Sequence, residues 1–119
     1  MTAVGESHID TMPYFVYNSV YVDGETWHCV SESGDDVNHL KTFSTAAAFG
    51  WYYLFDDPYS DKLMKKAKKL YNPDLGWYSG EYQKTDEINN AITANTNATV
   101  LEALNYKKRG PLVKGRPVQ

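Results

Sequence analysis

Residues 77–82, Trp77-Tyr78-Ser79-Gly80-Glu81-Tyr82, set one carboxylate inside a glycine-punctuated run of aromatic rings. A sugar offers apolar C–H faces edged with hydroxyls, so rings beside a carboxylate and amides suit a saccharide cleft. The other reading of the same residues is a two-stranded turn whose rings plug the top of a core, because aromatic side chains bury large areas. Glycoside hydrolysis needs one protonated carboxyl and one ionised carboxylate, about 5–9.5 Å apart depending on stereochemistry. Apolar rings disfavour an ionised carboxylate, which makes Glu81 the candidate general acid. Asp35 and Asp36, in the polar stretch that holds Gly34-Asp35-Asp36, are the candidate base, and otherwise simply a solvated acidic loop. Trp77, Tyr78 and Tyr82 are candidate substrate-binding rings. Asn95 and Asn97 are candidate ligands for sugar hydroxyls, with a helix N-cap as the alternative role for each.

Other chemistries find less support. His8, His28, Cys29 and His39 share no metal-ligand spacing, so neither a structural zinc nor any other cofactor is expected. One cysteine excludes an internal disulfide and leaves the compartment open. A net charge of −3 and a pI near 5.5 give no electrostatic footprint for nucleic acid. The lysines gather in 62–69 and 107–114, where a solvated helix face accounts for them. No stretch approaches the length of a membrane span, and the first residues lack a basic region followed by an apolar run. The ten tyrosines and three tryptophans outnumber the four phenylalanines, a bias toward rings with a polar handle that suits wet clefts and interfaces.

The elements that must position these residues are partly legible. Residues 1–13 carry no periodic signal and read as a loose lead-in. Residues 14–22 are rich in aromatic and β-branched side chains, Asp23-Gly24 is a type I′ turn pair, and residues 25–30 return, which predicts a β-hairpin over 14–30. A helix is predicted over 44–55, capped by Ser44 or Thr45. Ala46 to Phe55 has no polar face, so this helix is expected to be buried on all sides. Asp57 as N-cap and Pro58 at the first position start a second helix over 58–71, with Leu63, Met64, Ala67, Leu70 and Tyr71 on its inner face. A third helix begins between residues 91 and 95 and runs to about 106 or 107, with Ala94, Ala98, Leu101, Ala103 and Leu104 as its core. Gly110-Pro111 stops it, and residues 110–119 read as a tail.

Inner, outer and inner helices then follow one another, and Ser44 to Asn95 spans a repeat of 51 residues. The expected fold is therefore mainly α: a partial (α/α) toroid preceded by a β-hairpin, with 44–107 as its helical hairpin repeat. A repeat unit buries its core only against neighbours, so the chain reads as a single incomplete domain. Trp51, Tyr52, Tyr53 and Phe55 exceed what one outer helix and one neighbour can cover. Self-association, or missing toroid segments, is expected at that surface.

Several runs, in fixed order over about residues 14–112, resemble a known bacterial family. They include Phe43-Ser44-Thr45-Ala46-Ala47-Ala48-Phe49-Gly50-Trp51, Gly76-Trp77-Tyr78, Gly80-Glu81-Tyr82, Ala91-Ile92-Thr93-Ala94-Asn95-Thr96-Asn97 and Leu101-Glu102-Ala103-Leu104. Lys108-Arg109-Gly110-Pro111-Leu112 and the hairpin with Val22-Asp23-Gly24 and Trp27 belong to the same pattern. The family is domain of unknown function 3131, itself regarded as similar to glucoamylase-like six-hairpin (α/α) toroids. The resemblance implies a fragment of a carbohydrate-active, glycoside-processing protein of the bacterial periplasm or envelope, acting on an oligo- or polysaccharide. A non-catalytic carbohydrate-binding or protein-interaction module is the alternative. In toroids of this kind the cleft lies on the rim holding the N-termini of the inner helices, formed here by loops 31–43 and 72–94. Asp35, Asp36, Trp77, Tyr78, Glu81, Tyr82, Glu87, Asn95 and Asn97 would share that rim, with Asp56 and Asp57 opposite.

Overall fold

Ser44 ends a strand and caps the helix that follows, and the two halves of the molecule meet at that residue. The computed structural model describes residues 5–19, 24 and 26–111. Ser44 Oγ accepts the Ala47 N–H (3.2 Å), satisfying one of the free donors at the start of α1, Thr45–Leu54. Asp57 and Ser60 cap each other reciprocally at the start of α2, Pro58–Ala67, where Pro58 lacks only an N–H that would have no helical partner. Thr93 Oγ1 accepts the Thr96 N–H (3.0 Å) to open α3, Ala94–Arg109. Gly110, at φ +79°, closes α3 behind Lys107, Lys108 and Arg109, whose charges complement the helix C-terminus.

α1 packs against both α2 and α3. Ala46 and Ala47 share a groove with Asn95 and Thr99 at one end, and Lys107 Nζ lies 5.2 Å from the centre of the Tyr53 ring at the other. The two helices therefore run side by side in one direction. Phe49, Leu63, Met64, Leu70 and Val100 are the large residues of the core between the helices.

Among the described residues, seven short strands complete the fold. β1, Tyr17–Ser19, pairs antiparallel with β2, His28–Val30, with Asn18 opposite Cys29. β3, Thr42–Ser44, continues into α1. β4, Tyr71–Asn72, and β5, Gly76–Trp77, form a small antiparallel ribbon. β6, Gly80–Tyr82, lies between β3 and β7, Ile88–Asn89, in an antiparallel sheet that sets Phe43 opposite Glu81 and Glu81 opposite Ile88. A Cβ on Gly80 would lie 1.8 Å from the Phe43 carbonyl oxygen, so only glycine admits this approach of β6 to β3. Ile9, Val16, Cys29, Leu40 and Tyr82 form a second core beneath the hairpin.

This topology overturns the expected mainly α, partial (α/α) toroid. Three helices are built together with three small sheets, and the fold is a mixed α/β domain. Strands of two or three residues leave no period-2 pattern to read, and they form here because buried backbone N–H and C=O groups must find partners. The first described residues are not a loose lead-in either. Gly5 bridges Phe43, the Glu6 N–H donates to the Thr42 carbonyl (2.9 Å), and Ile9 is buried. The hairpin turn lies largely outside the described residues: Asp23 is not described, and Gly24 has φ +81°. Residues 112–119, read as a tail, also fall outside them.

Two helix faces differ from expectation. α1 is not enclosed, because Leu54 and Phe55 are exposed at its C-terminal end while Ala48 and Phe49 are buried. α3 turns Thr96, Val100 and Ala103 inward and leaves Leu101 67% exposed. Small and β-branched side chains let α3 approach α1 closely, and the stripe of leucines expected as its core lies on the outer side. α2 ends at Ala67, short of 71, and Tyr71 joins β4.

Candidate functional site

Side chains alternate across a strand, so Glu81 and Tyr82 leave opposite faces of β6. This one fact divides the glycine-punctuated aromatic run. Glu81, 8% exposed, pairs with Lys66 Nζ of α2 at 3.3 Å, and the same ammonium lies 5.5 Å from the centre of the Phe43 ring. The carboxylate expected to be caged by rings has a cationic partner, an arrangement that joins the sheet to α2. Its role as a general acid is not supported by that partner. Trp77 and Tyr78 are half-buried against the helical core. The Trp77 ring lies 4.6 Å from Phe49 and 4.9 Å from Tyr71, centre to centre. The Tyr78 hydroxyl accepts a hydrogen bond from Asn72 Nδ2 (2.9 Å).

Asn97 holds this region in place through its side chain. Its Oδ1 accepts the Trp77 N–H (2.8 Å), while Nδ2 donates to the Trp77 carbonyl (3.2 Å) and the Thr93 carbonyl (3.0 Å). The amide thus pairs with Trp77 as a neighbouring strand would. A Cβ on Gly76, at φ +97°, would stand 2.5 Å from Asn97 Oδ1, which accounts for glycine there. Asn97 is neither the N-cap of α3 nor open to a ligand. Asn95 is exposed and lines a different groove, described below.

Asp35 and Asp36 belong to the turn after β2. Ser31 Oγ accepts the Asp35 N–H (3.1 Å), and Asp36 accepts from the Asn38 N–H (2.8 Å) and side-chain amide (3.2 Å). Both shape the turn, and no hydrogen bond or ion pair joins them to Glu81. Cys29 is fully buried, and burial pushes its thiol above the ordinary range, opposite to what a nucleophile needs.

Tyr82, on the other face of β6, lines an open cleft of about 420 Å³. Loop 31–43 contributes His39 and Leu40, residues 82–90 contribute Tyr82, Lys84, Glu87 and Asn90, and Asp10 lines the cleft beside Tyr82 and Asn90. Asp10 is bound tightly to this wall. The Tyr82 hydroxyl donates to its Oδ1, while Oδ2 accepts the Asn90 N–H (2.7 Å) and Asn90 Nδ2 (3.2 Å). Burial works against the charged form of Asp10, but the bonds from Tyr82 and Asn90 outweigh it and hold the carboxyl below its ordinary pKa. Burial, together with the hydrogen bond and charge of Asp10, pushes the Tyr82 phenol well above its usual value. At neutral pH the wall therefore presents a carboxylate anion and a neutral phenol. Two carboxylates, amides, hydroxyls and an ammonium converge there, a donor and acceptor set for a ligand rich in hydroxyls. Residues from both loops expected to form a rim, 31–43 and 72–94, line this cleft, although the toroid that placed them there is not the fold. Asp10 was not visible in the sequence, because it lies 72 residues from Tyr82 in a segment without periodicity.

A family model described as protein of unknown function (DUF3131) matches residues 1–110. The chain belongs to that family. The matched range includes the first segment, with Asp10, as well as the sheet and all three helices of this DUF3131 chain. No curated protein and no solved structure matches it. Among the described residues of this family member, no helix is long and apolar enough to cross a membrane, and no group of three or more His, Cys, Asp or Glu is placed to hold a metal.

Proposed function

We propose that the chain is part of a carbohydrate-active protein of the bacterial envelope and binds an oligo- or polysaccharide in the cleft lined by Asp10 and residues 82–90. The observation that carries this reading is the fixed Asp10 anion, held by Tyr82 and Asn90 on the wall of a cleft that also displays Glu87. Ligand pockets span about 300–1,000 Å³, and this one falls within that range. Glycoside processing of the glucoamylase kind needs an ionised and a protonated carboxyl. Asp10 suits the ionised role, as base or electrostatic partner of a developing positive sugar ring, and Glu87 is the second carboxyl that lines the cleft. The aromatic run supports the site from behind: Tyr82 orients Asp10, and Trp77 and Tyr78 pack the core.

The test is a glycan array and a reducing-sugar assay on the wild type, Asp10→Asn and Glu87→Gln. Turnover lost in both variants with binding retained marks a glycosidase. Binding weakened by Asp10→Asn, with no turnover in any protein, marks a carbohydrate-binding module. No binding to any saccharide removes the reading. A protein-interaction module is the second reading, favoured by the exposed Leu54 and Leu101 on adjacent helices.

A further inference from the structure

Glu6 is a carboxylate buried to 9% exposure at the edge of β3, in a segment whose sequence carried no signal. Its Oε1 accepts the Ser7 N–H (2.9 Å), the His8 N–H (3.0 Å) and His8 Nδ1 (3.1 Å). Its Oε2 faces Ser44 Oγ at 3.4 Å, and Ser44 is already committed as the cap of α1. A carboxylate only accepts, so Nδ1 of His8 carries the hydrogen, and in the neutral ring Nε2 carries the lone pair. Phe15 fixes the imidazole from the side in an edge-to-face contact, 5.3 Å between centres. Nε2 has no hydrogen-bond partner among the described residues. A carboxylate bound to one ring nitrogen fixes the tautomer and orientation of a histidine and so fixes where its other nitrogen points.

His8 lines a groove of about 530 Å³ along α1. Its floor is the small-residue face Ala46, Ala47 and Gly50, one wall is Phe15 beside His8, and Asn95 and Thr99 of α3 stand across from them. A flat apolar floor, an aromatic ring and polar groups along the edges match a sugar ring, whose faces are C–H and whose rim is hydroxyl. Among the described residues, no third His, Cys, Asp or Glu joins Glu6 and His8 in a metal-binding group.

The groove and the Asp10 cleft are neighbours. His8 and Asp10 are two residues apart, at most about 7 Å of backbone. Both are tied to one element: Asn89 Nδ2 donates to the His8 carbonyl (2.8 Å), and Asn90 donates to Asp10. We propose that the groove is a second sugar subsite in which His8 Nε2 accepts a ligand hydroxyl, so that the ligand is a saccharide chain long enough to occupy both groove and cleft. This rests on the saccharide reading of the cleft and deepens it. The preferred ligand is then a polymer rather than a mono- or disaccharide, and Glu6 is a positioning residue for His8.

The experiment is calorimetry of the full chain with malto-, cello- and laminari-oligosaccharides, each from disaccharide to octasaccharide, using wild type, His8→Ala and His8→Gln. His8 is half-exposed, so both variants should fold, and circular dichroism checks this. The expected result is an affinity that rises with length in the wild type. In His8→Ala the long oligosaccharides bind about tenfold more weakly, the value of one lost hydrogen bond, while the short ones are unchanged. His8→Gln, which keeps an acceptor, restores part of the loss. Short oligosaccharides that bind, with no gain from length or no effect of His8→Ala on long ones, overturn the second subsite and leave the cleft reading standing. Failure of every length to bind overturns both.

Discussion

Replacing Tyr82 by phenylalanine deletes a single oxygen from a ring that is 9% exposed and removes the hydrogen bond that holds Asp10 on the cleft wall. A hydrogen bond to a charged group contributes about 1.5–3 kcal/mol. Asp10 is exposed and keeps both bonds from Asn90, so water replaces the phenol in part and the lower end applies. The expected loss is about 1.5 kcal/mol, or roughly 6 °C in Tm for a domain of this size. The pH dependence gives the test its sharpness. The Asp10 carboxyl is lowered from its ordinary 3.8, so its contribution is present above that value and is lost as pH falls through and below it. The Tyr82 phenol is raised above 10.0, so its contribution is present below that value and is lost as pH rises beyond it. Urea denaturation of both proteins across this range should show the largest gap near neutrality, narrowing toward acid and toward alkali. Equal stability at neutral pH, or a gap that does not change on acidification, would refute the assignment of Asp10 as an anion fixed by Tyr82.

Three further outcomes follow from particular contacts. Asn97→Ala removes the two hydrogen bonds that hold β5 to α3 and a third to the Thr93 carbonyl at the start of α3, and should destabilise the fold by about 2 kcal/mol in urea denaturation, without changing the cleft. Thr45 Oγ1 is buried with no hydrogen-bond partner among the described residues, so the isosteric Thr45→Val should raise stability by up to about 1 kcal/mol; a loss would mean that the hydroxyl has a partner. Sedimentation should show self-association that weakens in Leu101→Glu, and a monomeric wild type would discount the exposed leucines as an interface.

The helices were legible because their signals are local. Ser44, Asp57 with Pro58, and Gly110-Pro111 mark termini by side-chain chemistry that acts within one turn. The inner face of α3 was read correctly at Ala103 and misread elsewhere, because its leucines are its largest apolar residues, whereas Thr96 and Val100 are the ones that turn inward. The hairpin of β1 and β2 was legible in the sequence, whereas the sheet of β3, β6 and β7 was not. Gly80 and Glu81 form a strand because they fit beside Phe43, a relation between residues far apart in sequence, and no local propensity announces it. The candidate site divided along the same line. The order of elements suggested a toroid rim between two loops, and the fold that rim assumed is not the one formed. Glu81 was misassigned because adjacency in sequence hides the alternation of a strand. Glu6, His8 and Asp10 were missed because each acquires its meaning only from partners brought by the tertiary fold.

The central claim is that a saccharide occupies the cleft beside Asp10. Backbone amide shifts of the isotope-labelled chain, followed by NMR during titration with malto-, cello- and laminari-oligosaccharides, test it directly. The account predicts saturable shifts concentrated at Asp10, Tyr82, Glu87 and Asn90, extending to His8 only with the longer chains. Shifts centred on Trp77 and Tyr78, or none at any concentration, would contradict it.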